Sequence, residues 1–162
     1  MNYTLQRMDE QDAGRIATWH YDPLYALYNH SPFDVPFLLD AANRYFAVRD
    51  DSGRLAGYCC FGDEARVQGG DYEEAEPAIL DVGVGMHPAL VGQGFGNEFV
   101  RTILQFARDG FTHSKFRVTI AAFSDRSQRT FHKLGFTESQ RFTREGDGMD
   151  FVQLECEVDN LK

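Results

Sequence analysis

The stretch Leu80-Asp81-Val82-Gly83-Val84-Gly85-Met86-His87-Pro88-Ala89-Leu90-Val91-Gly92-Gln93-Gly94-Phe95-Gly96 decides how this chain is read. Ile79 to Met86 is an apolar run interrupted by one carboxylate and two glycines, and Pro88 follows it, which predicts a buried strand that stops abruptly. Past the turn, Phe95, Phe99, Val100, Ile103, Leu104, Phe106 and Ala107 recur at helical spacing, and Gly110 is placed to end the helix. Glycines at 92, 94 and 96 let the backbone turn tightly, and the N–H groups of the first helical turn have no partner inside the helix. Such a turn is an anion site made of backbone. The same glycines also suit a tight turn that binds nothing. Their spacing excludes the commoner nucleotide motifs: G-x-x-x-x-G-K-[ST] is absent, and G-x-G-x-G lacks the two-residue gap of the dinucleotide fingerprint.

On the N-terminal side, Tyr3 to Met8 alternates as a strand, and Asp9 caps a helix with Ala13, Ile16, Ala17 and His20 on one face. A second helix is predicted from Asp22-Pro23, with an end blurred by Pro32 and Pro36. Strands over 44–49 and 55–61 are joined by the turn Asp50-Asp51-Ser52-Gly53. Residues 62–77 are polar, with Glu73-Glu74-Ala75-Glu76, and read as a surface loop or as an acidic lid. On the C-terminal side, Lys115 to Ala122 alternates as a strand and Asp125 to Leu134 is a short helix stopped by Gly135. Closing strands follow near 137–144 and 151–158. The order β-α-α-β-β-β-α-β-α-β-β is that of a mixed α/β domain.

The chain has 162 residues, 43% of them hydrophobic, with 14 Phe and 7 Tyr, which suits one domain over residues 1–162 and excludes a disordered chain. Its 16 Lys+Arg against 25 Asp+Glu leave a net charge of -9, which argues against a nucleic-acid partner and against a polybasic membrane contact. The N-terminus lacks the apolar core of a signal peptide, and no run approaches the roughly 18 apolar residues of a membrane span, so a cytoplasmic protein is expected. Cys59, Cys60 and Cys156 have no C-x-x-C spacing, and His20, His30, His87 and His113 share no metal-ligand spacing. Neither a disulfide framework nor a metal is expected, and the adjacent Cys59-Cys60 read as small buried hydrophobes.

The strand, proline, glycine turn and helix resemble motif A of the GCN5-related N-acetyltransferases, whose pattern Arg/Gln-x-x-Gly-x-Gly/Ala falls on Val91-Gly92-Gln93-Gly94-Phe95-Gly96. About thirty residues on, Phe123-Ser124-Asp125-Arg126-Ser127-Gln128-Arg129-Thr130-Phe131-His132-Lys133-Leu134-Gly135-Phe136 resembles motif B, with its closing Lys-Leu-Gly-Phe. The resemblance implies an acetyl-coenzyme A site. The pyrophosphate would rest on the amides of Val91 to Gly96, and the pantetheine arm would pair with main chain near Val84 and Met86. Gly83 and Gly85 would leave room along the strand, or mark a bulge or close packing. Three positions depart from the pattern. Val91 replaces the common Arg or Gln. Ser124 stands where Asn is frequent, able to bond the pantetheine arm or simply to cap the helix. Phe131 occupies the place of the tyrosine that in many members protonates the leaving thiolate, and phenylalanine has no proton to give.

The reaction implied is direct attack of a neutral amine on the acetyl thioester. Alkylamines are almost wholly protonated at pH 7, so a base or a desolvating pocket is needed. Asp81 is the candidate base, with a hydrogen-bonded structural aspartate as its other reading. The backbone N–H of Met86 is the candidate oxyanion donor. His132 lies one residue, about 100° of helix, from the missing tyrosine. The resemblance places the acceptor near the first two helices. There Trp19, Tyr21, Tyr25 and Tyr28 form either a packing face or an aromatic wall for the amine. An acidic protein favours a cationic amine. The expected function is therefore amine N-acetylation by a monomer or homodimer, and the alternative is a non-catalytic acyl-coenzyme A sensor.

Overall fold

The computed structural model describes residues 2–72 and 78–162. Its strands are β1 (Thr4–Arg7), β2 (Tyr45–Arg49), β3 (Leu55–Phe61), β4 (Ile79–Met86), β5 (Lys115–Ala121), β6 (Thr137–Thr143) and β7 (Asp150–Glu157). Its α-helices are α1 (Glu10–Ile16), α2 (Val35–Leu39), α3 (Gly96–Gly110) and α4 (Asp125–Lys133). The strands form one mixed sheet in the order β1-β2-β3-β4-β5-β7-β6. The fold class and the element order are as the sequence predicts. No helix among the described residues is long and apolar enough to cross a membrane.

Helices cover both faces of the sheet. On one face α3 buries Phe99, Val100, Ile103, Leu104 and Ala107 against Leu80, Val82, Phe116, Val118 and Ile120, and α4 adds Phe131. Each large side chain removed from water there contributes about 1.5–3 kcal/mol. On the other face Ala13 and Ile16 of α1 and Leu38 of α2 pack on Ala47, Leu55 and Tyr58. Asp9 caps α1 in a reciprocal box with Asp12. The buried Asp12 carboxylate also accepts from Arg49 Nη2 at 2.6 Å, tying α1 to β2. Cys59 and Cys60 are buried free thiols, and burial pushes the Cys60 thiol up to about 12.

The predicted second helix is a correction. Residues 23–28 form a 3₁₀ turn, Pro32–Asp34 a second one, and the α-helix begins only at Val35. Pro23 and Pro32 each suit the first position of a turn, but a proline further along supplies no N–H to a continuing helix. The acidic run Glu73-Glu74-Ala75-Glu76, read as a loop or lid, lies outside the described residues.

β4 positions the site because it pairs unequally with its neighbours. It runs antiparallel to β3 over five pairs, from Gly57↔Met86 to Phe61↔Val82. It meets the parallel β5 only through Ile79↔Lys115, Leu80↔Phe116 and Asp81↔Arg117, and the two strands then separate. Gly57 makes the β3–β4 contact possible, since a Cβ there would lie 2.4 Å from Gly85 O and 2.5 Å from the Phe99 ring. Gly57→Ala is therefore expected to destabilise by about 1–3 kcal/mol through overpacking. A lower urea midpoint at unchanged slope would report it.

Candidate functional site

Where β4 and β5 part, the alternation of an antiparallel ladder decides which way the β4 amides face. The N–H of His87 donates to Ala56 O at 2.8 Å and that of Gly62 to Asp81 O at 2.9 Å. Residues 81, 83, 85 and 87 thus bond β3, and the main-chain groups of Val84 and Met86 face the opening toward β5. Tyr21 agrees with this: its hydroxyl donates to Met86 O at 2.7 Å. Burial raises the Tyr21 pKa, so the phenol keeps its proton at neutral pH.

A cavity of about 610 Å³ fills the opening. Val84, Met86, Val91, Gly92, Gly94 and Gly96 line it, as do Ser124 and Phe131. Gly92 and Gly94 sit at φ +79 and +86, a left-handed backbone that favours glycine, and nothing lies within 4 Å of where a Gly94 Cβ would be. The N-terminus of α3, at Gly96, completes an amide-lined surface of positive potential. Ser124 is 2% exposed and makes no side-chain cap bond at the start of α4, so its hydroxyl is available inside the cavity. Gln93 and Phe95 do not line the cavity. The Gln93 amide instead donates to Ala89 O at 3.1 Å and braces the turn. Outward amides along the strand, an open glycine turn and a buried unused hydroxyl fit an extended ligand with a phosphate-bearing end.

The opposite wall comes from the N-terminal segment. Tyr21, Tyr25 and Tyr28 line the cavity, together with His20 and Asp22. Trp19 does not. It is buried against His87, ring centroids 4.6 Å apart, and Tyr58, and it supports the end of β4 from behind. Gly83 and Gly85 also line the cavity, and the positions where their side chains would sit are already filled. A Cβ at Gly85 would strike the Tyr58 ring at 2.3 Å, and one at Gly83 the Cys60 sulfur at 2.8 Å.

Asp81 lies where β4 still pairs with β5. Its carboxylate accepts from Arg117 Nε and Nη2 at 2.6 and 2.8 Å and from Arg66 Nε at 2.8 Å, and it does not line the cavity. Asp81 and Arg117 are almost fully buried, and the Tyr72 ring lies against both guanidinium groups, 5.4 Å from Arg66 and 4.8 Å from Arg117. A carboxylate so occupied fits the reading of a hydrogen-bonded structural aspartate, which anchors the 62–72 segment. His132 turns away as well, its Nδ1 donating to Phe136 O at 3.0 Å. Phe131 packs edge-on against Phe136, its ring centroid 5.1 Å away.

The acetyltransferase (GNAT) family profile matches residues 13–136. The chain belongs to the GNAT family. Solved structures that share its fold include the following three. Spermidine N-acetyltransferase from Vibrio cholerae in complex with CoA and spermine is 16% identical at a TM-score of 0.71, over 98% of this chain and 97% of that one. AAC(6')-Ib in complex with ribostamycin and coenzyme A is 19% identical at 0.76, over 99% and 96%. A GNAT-family acetyltransferase from Bacillus anthracis is 12% identical at 0.75, over 98% and 96%. No curated protein sequence matches this one.

Within this GNAT chain, sequence reasoning missed Thr119, Arg126, Arg129 and Lys133 as cavity residues. The last three recur on α4 three and four positions apart, a helical spacing that could have flagged a shared face. Nothing in the sequence pointed to Thr119, which the sheet places beneath the Tyr72 hydroxyl, 2.8 Å away.

Proposed function

We propose that this GNAT protein transfers the acetyl group of acetyl-coenzyme A to a primary amine by direct attack, acting as one domain over residues 1–162. The observation that carries the reading is the cavity where β4 leaves β5, with the Val84 and Met86 amides turned into it and the glycine turn at one end. In this reading the pyrophosphate rests on Val91 to Gly96, the pantetheine arm pairs with Val84 and Met86, and Ser124 bonds the arm. The amine lone pair attacks the thioester carbonyl carbon, the C–O π pair moves onto oxygen, and the Met86 N–H receives that charge. Collapse of the tetrahedral species breaks the C–S bond and expels the thiolate, while the nitrogen sheds its extra proton to solvent and the thiolate is protonated from solvent to give coenzyme A and the amide.

The acceptor wall is Tyr21, Tyr25 and Tyr28, with Asp22 nearby. A net charge of -9 and an aromatic wall favour a cationic amine, as do neighbours of this fold solved with spermine or ribostamycin. A cytoplasmic protein working as a monomer or homodimer belongs to the same proposal. Release of free thiol from acetyl-coenzyme A over a panel of polyamines, aminoglycosides and peptide amines tests it. At least one amine is expected to raise the rate well above hydrolysis. Phe131, which cannot protonate a thiolate, favours the sensor reading, and tight binding with no amine-dependent release would establish that reading instead. Tyr21→Phe, which removes the hydrogen bond to Met86 O, is expected to lower kcat/KM for the amine roughly 3- to 10-fold at nearly unchanged stability.

A further inference from the structure

The glycine turn lacks a charged side chain of its own, because Val91 is apolar, yet the chain around it is strongly acidic. The structure answers this from another element. α4 packs across the turn: a Cβ at Gly96 would lie 3.4 Å from Thr130 Oγ1, and one at Gly92 would lie 3.2 Å from both Cζ and Nη1 of Arg126. Thr130 Oγ1 donates to Arg126 O at 3.1 Å, fixing the helical turn that carries both residues. Arg126 is exposed, lines the cavity, and forms no ion pair among the described residues. In a chain where most arginines are paired with carboxylates, a guanidinium left unpaired over amides that already attract anions is poised for an anion itself.

Resting on the acetyl-coenzyme A reading above, we propose that Arg126 is a binding residue for the diphosphate of the co-substrate. It closes over the Gly92–Gly96 turn from α4 and supplies the charge that Val91 does not. The amides hold the diphosphate from the turn side, and the planar guanidinium donates to its oxygens from the helix side. The left-handed backbone at Gly92 favours glycine there, and its absent side chain leaves the guanidinium close against the turn.

Isothermal titration of the full chain with coenzyme A and with 3'-dephospho-coenzyme A, at fixed salt, tests the assignment. Arg126→Gln is expected to raise Kd roughly 10- to 100-fold for both ligands, and Arg126→Lys to recover only part of the loss because an ammonium lacks the fork. The ligand-free variants should melt with the wild type, since the residue is exposed. Unchanged Kd in Arg126→Gln would overturn the proposal. So would a penalty seen with coenzyme A but absent with the dephospho form, which would move Arg126 to the 3'-phosphate. A wild-type chain that binds neither ligand would overturn the acetyl-coenzyme A reading and this assignment with it, whereas tight wild-type binding with an unaffected variant would overturn this assignment alone.

Discussion

Asp81→Asn is expected to destabilise the chain by about 3–5 kcal/mol, because removing one partner of a buried ion pair leaves the other charge uncompensated. Here the charge that loses its carboxylate is that of Arg117, while Arg66, which also pairs with Asp63 at 3.4 Å, loses one of its partners. Arg117 is 3% exposed and has its Nε and Nη2 on the carboxylate, and Arg66 reaches the same group from the 62–72 segment. The neutral amide still accepts a hydrogen bond but no longer balances the buried Arg117 guanidinium between β4, β5 and Tyr72. A large fall in the urea midpoint, with turnover surviving in whatever fraction stays folded, is the expected result. A midpoint equal to that of the wild type, with turnover abolished and its pH profile flattened, would return Asp81 to the role of base.

Gly94→Glu is expected to weaken acetyl-coenzyme A binding by more than 100-fold, about 2.7 kcal/mol. The space where its side chain would go is open, with no atom within 4 Å of the Cβ position, so the carboxylate would project where the phosphates are proposed to lie. Gly94→Ala separates that effect from backbone strain. At φ +86 any L side chain is strained by about 1–2 kcal/mol, but alanine adds no charge. Binding of Gly94→Glu within a few-fold of Gly94→Ala, measured by isothermal titration, would remove the phosphates from this turn.

The region from β4 to α4 was legible because its signals are local. An apolar run ended by proline, three alternating glycines and a helical recurrence of Phe, Val, Ile and Leu each dictate their own conformation, and the structure places β4, α3, β5 and α4 within a residue or so of the predicted bounds. Residues 22–39 were not legible in the same way. Three prolines there admit either a helix start or a succession of short turns, and only packing of Leu38 and Trp19 on the sheet selects between them. The site divides along the same line. The glycine turn, Ser124 and the three tyrosines could be read from spacing and motif. Asp81 could not be assigned, since a carboxylate inside an apolar strand looks alike whether it serves chemistry or an ion pair. Its partners lie 15 and 36 residues away in sequence. At Gly83 and Gly85 the two readings hold together: both line the cavity, and Cys60 and Tyr58 of the neighbouring strand fill the places where side chains would sit.

Acetyl-coenzyme A seated in the opening between β4 and β5 would stabilise the folded chain, and a thermal-shift titration of the wild type measures that. Saturable stabilisation is expected, reaching about 2.7 kcal/mol when the ligand stands at 100 times its Kd. No shift in melting temperature at millimolar acetyl-coenzyme A would mean that the opening does not take this ligand.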